Sequence, residues 1–377
     1  MNEVYITRIA KYLPNEPVSN EDMEKKLGYV NGKPSKARRI VLRNNKIKSR
    51  YYAIDDNGNV SHNNAQLTKE AIELLCDEEF TSKNIELLSC GTSTPDQILP
   101  SHAAMVHGFL KNSNVEINSA SGACCSGMNA LKYGYLAVKA NQVDNAVCAG
   151  SERVSTWLKS DNFEDEVTHL KELEEQPIIA FQKEFLRWML SDGAGAVLLQ
   201  NKPNGKLSLK IEWMEGYSYA HEIEACMYAG GDKLENGDLK SWSEYDTDQW
   251  SQQSLFAIKQ DVKLLSSNVL EKGVDSLKKA IIKHHINLDD VTYFLPHISS
   301  YYFKEGLFEE LKRQEVEIPF EKWFMNLYKV GNVGAASIYI MLEELMNSDT
   351  LKKGDKILVL VPESSRFSYA CAYLTVC

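Results

Sequence analysis

The sequence has no apolar run approaching the roughly 18 to 20 residues that a membrane-crossing helix needs. No transmembrane helix is expected. Its opening stretch, MNEVYITRIAKYLPNEP, lacks the apolar core and small-residue cleavage site of a secretory signal. The expectation is a cytoplasmic protein. Eight cysteines are present, yet none forms a Cys-x-x-Cys pair and none stands at metal-ligand spacing from histidines. Zinc and a secreted disulfide framework are both poor readings, and most of the thiols read as small buried hydrophobes. Basic residues are in the minority, 42 Lys and Arg against 52 Asp and Glu, and a formal charge of −10 argues against a nucleic-acid surface.

What is present is an ordinary globular composition, 44% hydrophobic and 25% charged over 377 residues. That length suits two domains or one large two-part domain. The stretch EVYITRIAKYLP reads as a strand and VSNEDMEKKLG as a capped helix. The short apolar runs IELLSC and NAVCAGS read as buried strands, separated by helical patterns at about 62–78, 101–112 and 126–141. Strands alternating with helices indicate α/β layers. An acidic helical segment at about 157–190 reads as an insertion before the strand GAGAVLLQ. The cluster NKPNGK marks a boundary between halves 1–203 and 204–377. In the second half, helical patterns at about 250–285 and 303–314 precede the strand VTYFLPH, a helix from 334, and the strands KILVLVPES and YACAYLTV. The order small-residue turn, helix, polar break, strand occurs in both CSGMNALKYGYLAVKANQVDNAVCAGSE and GNVGAASIYIMLEELMNSDTLKKGDKILVLVPES. Internal duplication explains this most economically. It pairs Cys125 with Asn332 as corresponding helix starts.

The adjacent thiols of SGACCSGM stand just ahead of a helix. A cysteine at a helix N-terminus feels the partial positive charge of free N–H groups, which favours the nucleophilic thiolate. Far downstream, His297 follows an apolar strand, and Asn332 lies between two glycines before another helix. Each has a plainer reading alone: core cysteines, a satisfied histidine, a turn asparagine. Together they form a nucleophile with two polar groups able to serve a thioester carbonyl or an enolate. A papain-like hydrolase fits poorly, because its cysteine stands near the mature N-terminus in a Cys-Gly-Ser-Cys-Trp context absent here.

The stretches SCGTSTPDQILPSHAAMVHGFL, SGACCSGMNAL, LSDGAGAVLL, FLPHISS and VGNVGAASI resemble the successive motifs of the 3-oxoacyl-(acyl-carrier-protein) synthase III family of the thiolase superfamily. The resemblance implies a duplicated, five-layered α-β-α-β-α fold, a homodimer, and a triad on Cys125, His297 and Asn332. Cys125 rather than Cys124 is matched because it precedes Ser126, Gly127 and the bulky Met128. An oxyanion hole from the amides of Cys125 and Ser365 is implied, although the family's glycine-rich turn reads PESSRFSY here. No resident cofactor is implied, since substrates ride on the phosphopantetheine of an acyl carrier protein or of coenzyme A. The family's adenine-packing tryptophan is replaced by Arg39, while Arg43 keeps a following arginine. Eight basic residues within 33–50, without one acid, would suit an acidic carrier protein.

Relatives that join two long chains carry a glutamate at the position of Leu99, before Pro100. Here that carboxylate is missing. The TSTPD motif, the RYYAID turn, the insertion and the C-terminal tail look most like ketosynthases that form dialkylresorcinol precursors. The implied reaction joins a 3-oxoacyl thioester to an enoyl thioester and closes a 2,5-dialkylcyclohexane-1,3-dione, with His297 deprotonating the acidic methylene. Leu99 and Met128, with Arg39 and Arg43, are the expected substrate contacts. A malonyl-decarboxylating synthase III is the alternative, and a non-catalytic partner subunit is the alternative of another class. A partner subunit has no need of the complete triad.

Overall fold

The computed structural model describes residues 2–36, 38–162, 186–205 and 207–377. Most of the acidic insertion expected at about 157–190 therefore lies outside the described residues. Among the described residues, nine strands form the main sheet: β1 (Tyr5–Tyr12), β2 (Leu87–Thr92), β3 (Glu116–Ser121), β4 (Asn145–Glu152), β5 (Gly193–Gln200), β6 (Leu209–Ser218), β7 (Tyr293–Pro296), β8 (Lys356–Glu363) and β9 (Ser368–Val376). Their order is β7-β8-β9-β6-β1-β5-β4-β2-β3. The pairs β2–β3, β2–β4 and β7–β8 are parallel and the rest antiparallel. Every residue of β4 is buried, as the continuous apolar run NAVCAGS requires of a strand covered on both faces.

The larger helices are α1 (Arg38–Asn45), packed beside the sheet with Trp188 and Tyr52, and, layered on the sheet, α2 (Asn64–Glu73), α3 (His102–Leu110), α4 (Cys124–Lys139), α5 (Val262–Lys283), α6 (Tyr302–Arg313) and α7 (Ser337–Met346). Side chains of β4 alternate between two cores. Val147 and Ala149 meet α2 and α3 on the outside, whereas Ala146 and Cys148 meet α4 and α7. The same alternation in β8 turns Ile357, Val359 and Val361 toward α4 and α7, and Leu358 and Leu360 toward α5 and α6. The two central helices are thus sandwiched between the half-sheets, and the expected five layers are present.

The halves are not separate bodies, because β1 hydrogen-bonds to β6 (Tyr5 opposite Lys210, Ile6 opposite Leu209) across the boundary. The strand β6 went unread in the sequence, although LKIEWM alternates buried apolar with charged residues. The counterpart of β3 in the second half is reduced to a bridge between Phe294 and Trp323, with the Phe324 N–H donating to the Phe294 carbonyl at 2.9 Å. Among the described residues, no helix is long and apolar enough to cross a membrane.

The duplication has a packing consequence at the centre. The Tyr339 hydroxyl on α7 donates to the Gly127 carbonyl on α4 at 2.8 Å. The Ala335 carbonyl comes so close that a Cβ at Gly127 would lie 2.1 Å from it, and one at Gly150 would lie 2.2 Å away. Only glycine allows this approach. Gly127→Ala and Gly150→Ala should each lower stability by about 3 kcal/mol, the upper end of overpacking costs. Gly108→Ala, in open space on α3, should raise it by roughly 0.5–1 kcal/mol. Urea unfolding of the three variants beside wild type checks both signs.

Candidate active site

A cavity of about 90 Å³ lies where the two central helices begin. Its polar wall includes Ser93, Cys124, Glu152, His297, Asn332 and Ser364. Apolar residues complete it, among them Val154 and Met189 from the first half and Val269 and Phe303 from the second. Met227, Ile258 and Gln260 reach it from the segment between β6 and α5, whose short hairpins the sequence reading did not resolve.

His297 and Asn332 therefore meet in one cavity, as expected, but the thiol that joins them is Cys124. Helix α4 starts at Cys124, and consecutive helical side chains diverge by about 100°. One thiol of the pair consequently faces the cavity and the other the core. The Cys125 Sγ donates to the Val361 carbonyl at 3.3 Å and to the Ser368 carbonyl at 3.6 Å, among central-layer hydrophobes. Other expected substrate contacts also stand elsewhere. Met128 is one helical turn deeper and packs in the central core. Leu99, on the loop after β2, is 83% exposed beside a cis Leu99–Pro100 bond. Arg39 and Arg43 are exposed on α1 and do not line the cavity. Arg50, the last of the basic run, is buried and donates to the Trp188 carbonyl at 3.0 Å, so the run is not one continuous surface.

The expected oxyanion hole is also altered. The Glu363 carboxylate, at the end of β8, accepts from the Ala123 N–H at 3.0 Å and the Cys125 N–H at 2.9 Å. The Cys125 amide is thus already engaged. Ser365 turns its hydroxyl to the same carboxylate, while its carbonyl accepts from the Cys226 and Met227 N–H groups. The residue of that turn at the cavity wall is Ser364. This carboxylate also removes the electrostatic advantage expected of a helix start. Burial pushes the Cys124 thiol up, and the nearby Glu363 and Glu152 carboxylates add to the effect. The thiol is not pre-ionised.

His297 immediately follows β7, and its backbone N–H donates to the Leu360 carbonyl at 2.8 Å. Its Nε2 is enclosed without a partner, and burial holds the imidazole down to about 4. A neutral ring at pH 7 is free to accept a proton. Asn332 is fixed through its backbone, which donates to the Met189 carbonyl and accepts from the Ser191 N–H, both at 2.9 Å. Its Oδ1 accepts from the Gly334 N–H at 3.0 Å and the Ser337 hydroxyl at 3.5 Å. This orients the amide with its Nδ2 donors away from those partners and available to the cavity.

Glu152 is the cavity residue that the sequence reading missed. It ends β4, and the C-terminal ends of parallel strands are where α/β sheets place their sites, which is the signal that could have found it. The carboxylate accepts from the hydroxyls of Ser93 (2.6 Å) and Thr94 (2.8 Å) and from the N–H groups of Ser93 and Ala335 (both 3.1 Å). Burial nevertheless outweighs these donors and raises its pKa from 4.5 to about 7. The folded state therefore binds this proton more tightly than the unfolded chain. That stabilisation is full below about 4.5 and is lost as pH rises through about 7. Glu152→Gln cannot ionise, so its melting temperature relative to wild type should become more positive between about pH 5 and about pH 8. Calorimetry of both proteins at the two pH values checks the sign.

Residues 281–375 match the family described as 3-oxoacyl-[acyl-carrier-protein] synthase III C terminal, and residues 78–204 match the beta-ketoacyl synthase N-terminal domain. Beta-ketoacyl-[acyl-carrier-protein] synthase III of Clostridium novyi (strain NT) is 25% identical over 367 residues, covering 96% of this chain and 95% of that protein. The synthase III of Lactobacillus helveticus (strain DPC 4571) is 27% identical over 294 residues, 77% of each chain. Among solved structures, AbyA1, a tetronic acid condensing enzyme, superposes with a TM-score of 0.76 at 19% identity over 99% of both chains. OleA of Xanthomonas campestris with bound lauric acid and lauroyl-CoA superposes with a TM-score of 0.73 at 16% identity, covering 100% of this chain and 99% of that one. The two ketosynthase halves are matched in order along one chain, which is similar over nearly its whole length to beta-ketoacyl-[acyl-carrier-protein] synthase III and is thereby an acyl-condensing transferase of synthase III-like type.

Proposed function

We propose that this condensing enzyme carries an acyl chain on Cys124 and joins it to a 3-oxoacyl thioester, giving a 2,5-dialkylcyclohexane-1,3-dione precursor of dialkylresorcinols. The observation that carries the reading is a single cavity in which a thiol, a neutral imidazole and an oriented carboxamide face apolar walls. In loading, the Cys124 sulfur attacks the thioester carbonyl as its proton passes to His297. The same imidazole then returns a proton to the departing pantetheine thiol. In condensation, the Nδ2 donors of Asn332 and the protonated face of His297 stabilise the enolate of the second thioester. Cys125 has no part in this chemistry.

The carrier is proposed to be an acyl carrier protein, attracted to the exposed cations of α1, and the enzyme needs no cofactor beyond the pantetheine that brings its substrates. A homodimer is proposed through β3, which ends the sheet with alternate residues exposed, beside the uncovered Ile98 (75% exposed) and Leu99. A decarboxylative reaction with malonyl carrier protein is the second reading, favoured by the names of the curated relatives.

Cys124→Ala should abolish the acyl adduct seen by intact-protein mass after incubation with an acyl thioester. Cys125→Ala should retain it. His297→Ala should slow loading as well as condensation, because the thiol depends on a proton acceptor. An adduct that survives in Cys124→Ala and vanishes in Cys125→Ala would reverse the assignment. The product is tested by supplying wild-type enzyme with a 3-oxoacyl and an enoyl thioester, or with an acyl thioester and malonyl carrier protein, and weighing what forms. A cyclic dione from the first pair is the expected outcome, and turnover of the second pair alone would replace it with the decarboxylative reaction.

A further inference from the structure

We propose that Glu152 is the proton acceptor that turns the second thioester into a carbon nucleophile, with the Ser93 hydroxyl linking it to the cavity. This rests on the condensing role of the cavity and on a donor that keeps its carboxyl carbon. When a malonyl group loses carbon dioxide, the electron pair of the broken bond supplies the enolate. When nothing is lost, a base must take a proton. The position where chain-joining relatives carry a glutamate holds Leu99 here, on an exposed loop. His297 is already assigned to proton transfer between the Cys124 thiol and the departing pantetheine. Glu152 is the carboxyl that shares a wall with Cys124, His297 and Asn332.

Its surroundings suit proton transfer. Ser93 lines the cavity and donates its hydroxyl to Glu152, so one oxygen can take a proton from the substrate while passing its own to the carboxylate. On the other side lies Gly334, also in the cavity wall, where a Cβ would come within 2.8 Å of Glu152 Oε1. No side chain can therefore screen the carboxylate from that direction. The Thr94 hydroxyl and the Ala335 N–H hold the group in place. Its pKa near neutrality lets it both take and return a proton at pH 7.

The step balances without an outside reagent. The carbon–hydrogen bond between the two carbonyls of the donor breaks, its proton goes to Glu152, and its electron pair forms the enolate. The enolate carbon bonds to the β-carbon of the enoyl chain held on Cys124. The Glu152 carboxylic acid then returns the proton to the carbon beside the acyl-enzyme carbonyl.

The test separates proton abstraction from product identity. Acylated enzyme is given a 3-oxoacyl thioester in deuterium oxide, and deuterium entering the methylene between its carbonyls, above the enzyme-free rate, is followed by mass, while condensation with the same thioester is measured in parallel single turnovers. Wild type should catalyse exchange. Glu152→Gln should lower exchange and condensation by about 100- to 10,000-fold, the usual worth of a general base. Glu152→Asp should restore part of both, and Glu152→Ala should regain activity with added formate, a readout that a purely structural role would not move. Loading of Cys124 in the same samples reports that each variant is folded. Absent exchange in wild type, exchange and condensation within about threefold of wild type in Glu152→Gln, or equal loss of loading and condensation without formate rescue, would each overturn the proposal. If exchange depends on Glu152 but no dione forms, the donor assignment falls and the role of Glu152 stands.

Discussion

Two buried carboxylates cross between the halves of this molecule, and the geometry of the cavity depends on them. Glu152 ends β4 of the first half and accepts from Ala335, just before α7 of the second. Glu363 ends β8 of the second half and accepts from Ala123 and Cys125 at the start of α4 in the first. Each helix start is thus held by the other half's sheet. A buried N–H left without its acceptor is costly, so each of these contacts fixes a helix start. The arrangement locks the depth of both helices, which allows the close contacts at Gly127 and Gly150.

The same pairing sets the chemistry. A helix start free of carboxylate would draw the thiol toward ionisation, but here the positive end is already satisfied. Cys124 therefore stands as a neutral thiol beside a neutral imidazole, and charge arises only when a proton moves between them. The two carboxylates are not equivalent. Glu363 is committed to amides and to Ser365, whereas Glu152 faces the cavity through Ser93 and past Gly334. A duplicated structural device has one copy turned toward the substrate.

Much of this was legible in the linear order of residues. The strand and helix runs, the duplicated helix-to-strand unit, and the pairing of His297 with Asn332 all follow from local pattern and residue type. Motif order was enough to recognise the condensing enzymes. Where the structure places expected residues elsewhere, the reasons differ. Cys124 and Cys125 are chemically identical neighbours, and a one-residue difference in where α4 begins exchanges their faces. Met128 was lost by the same step. Leu99, Arg39 and Arg43 lie on a surface loop and a surface helix, where a motif's position in sequence says little about which cavity it reaches. Glu152 was overlooked because a strand-ending glutamate has no local mark of burial.

By itself, then, the sequence determined the layers, the duplication and the residue types of the site, because these rest on periodicity and on the chemistry each side chain carries. Tertiary structure alone decided which of two thiols meets His297 and Asn332, and which of two glutamates opens to the cavity. Those choices depend on helix register and on cross-half hydrogen bonds between residues far apart in the chain. A difference of one residue along the helix, about 100° of rotation, is small in sequence and decisive in space.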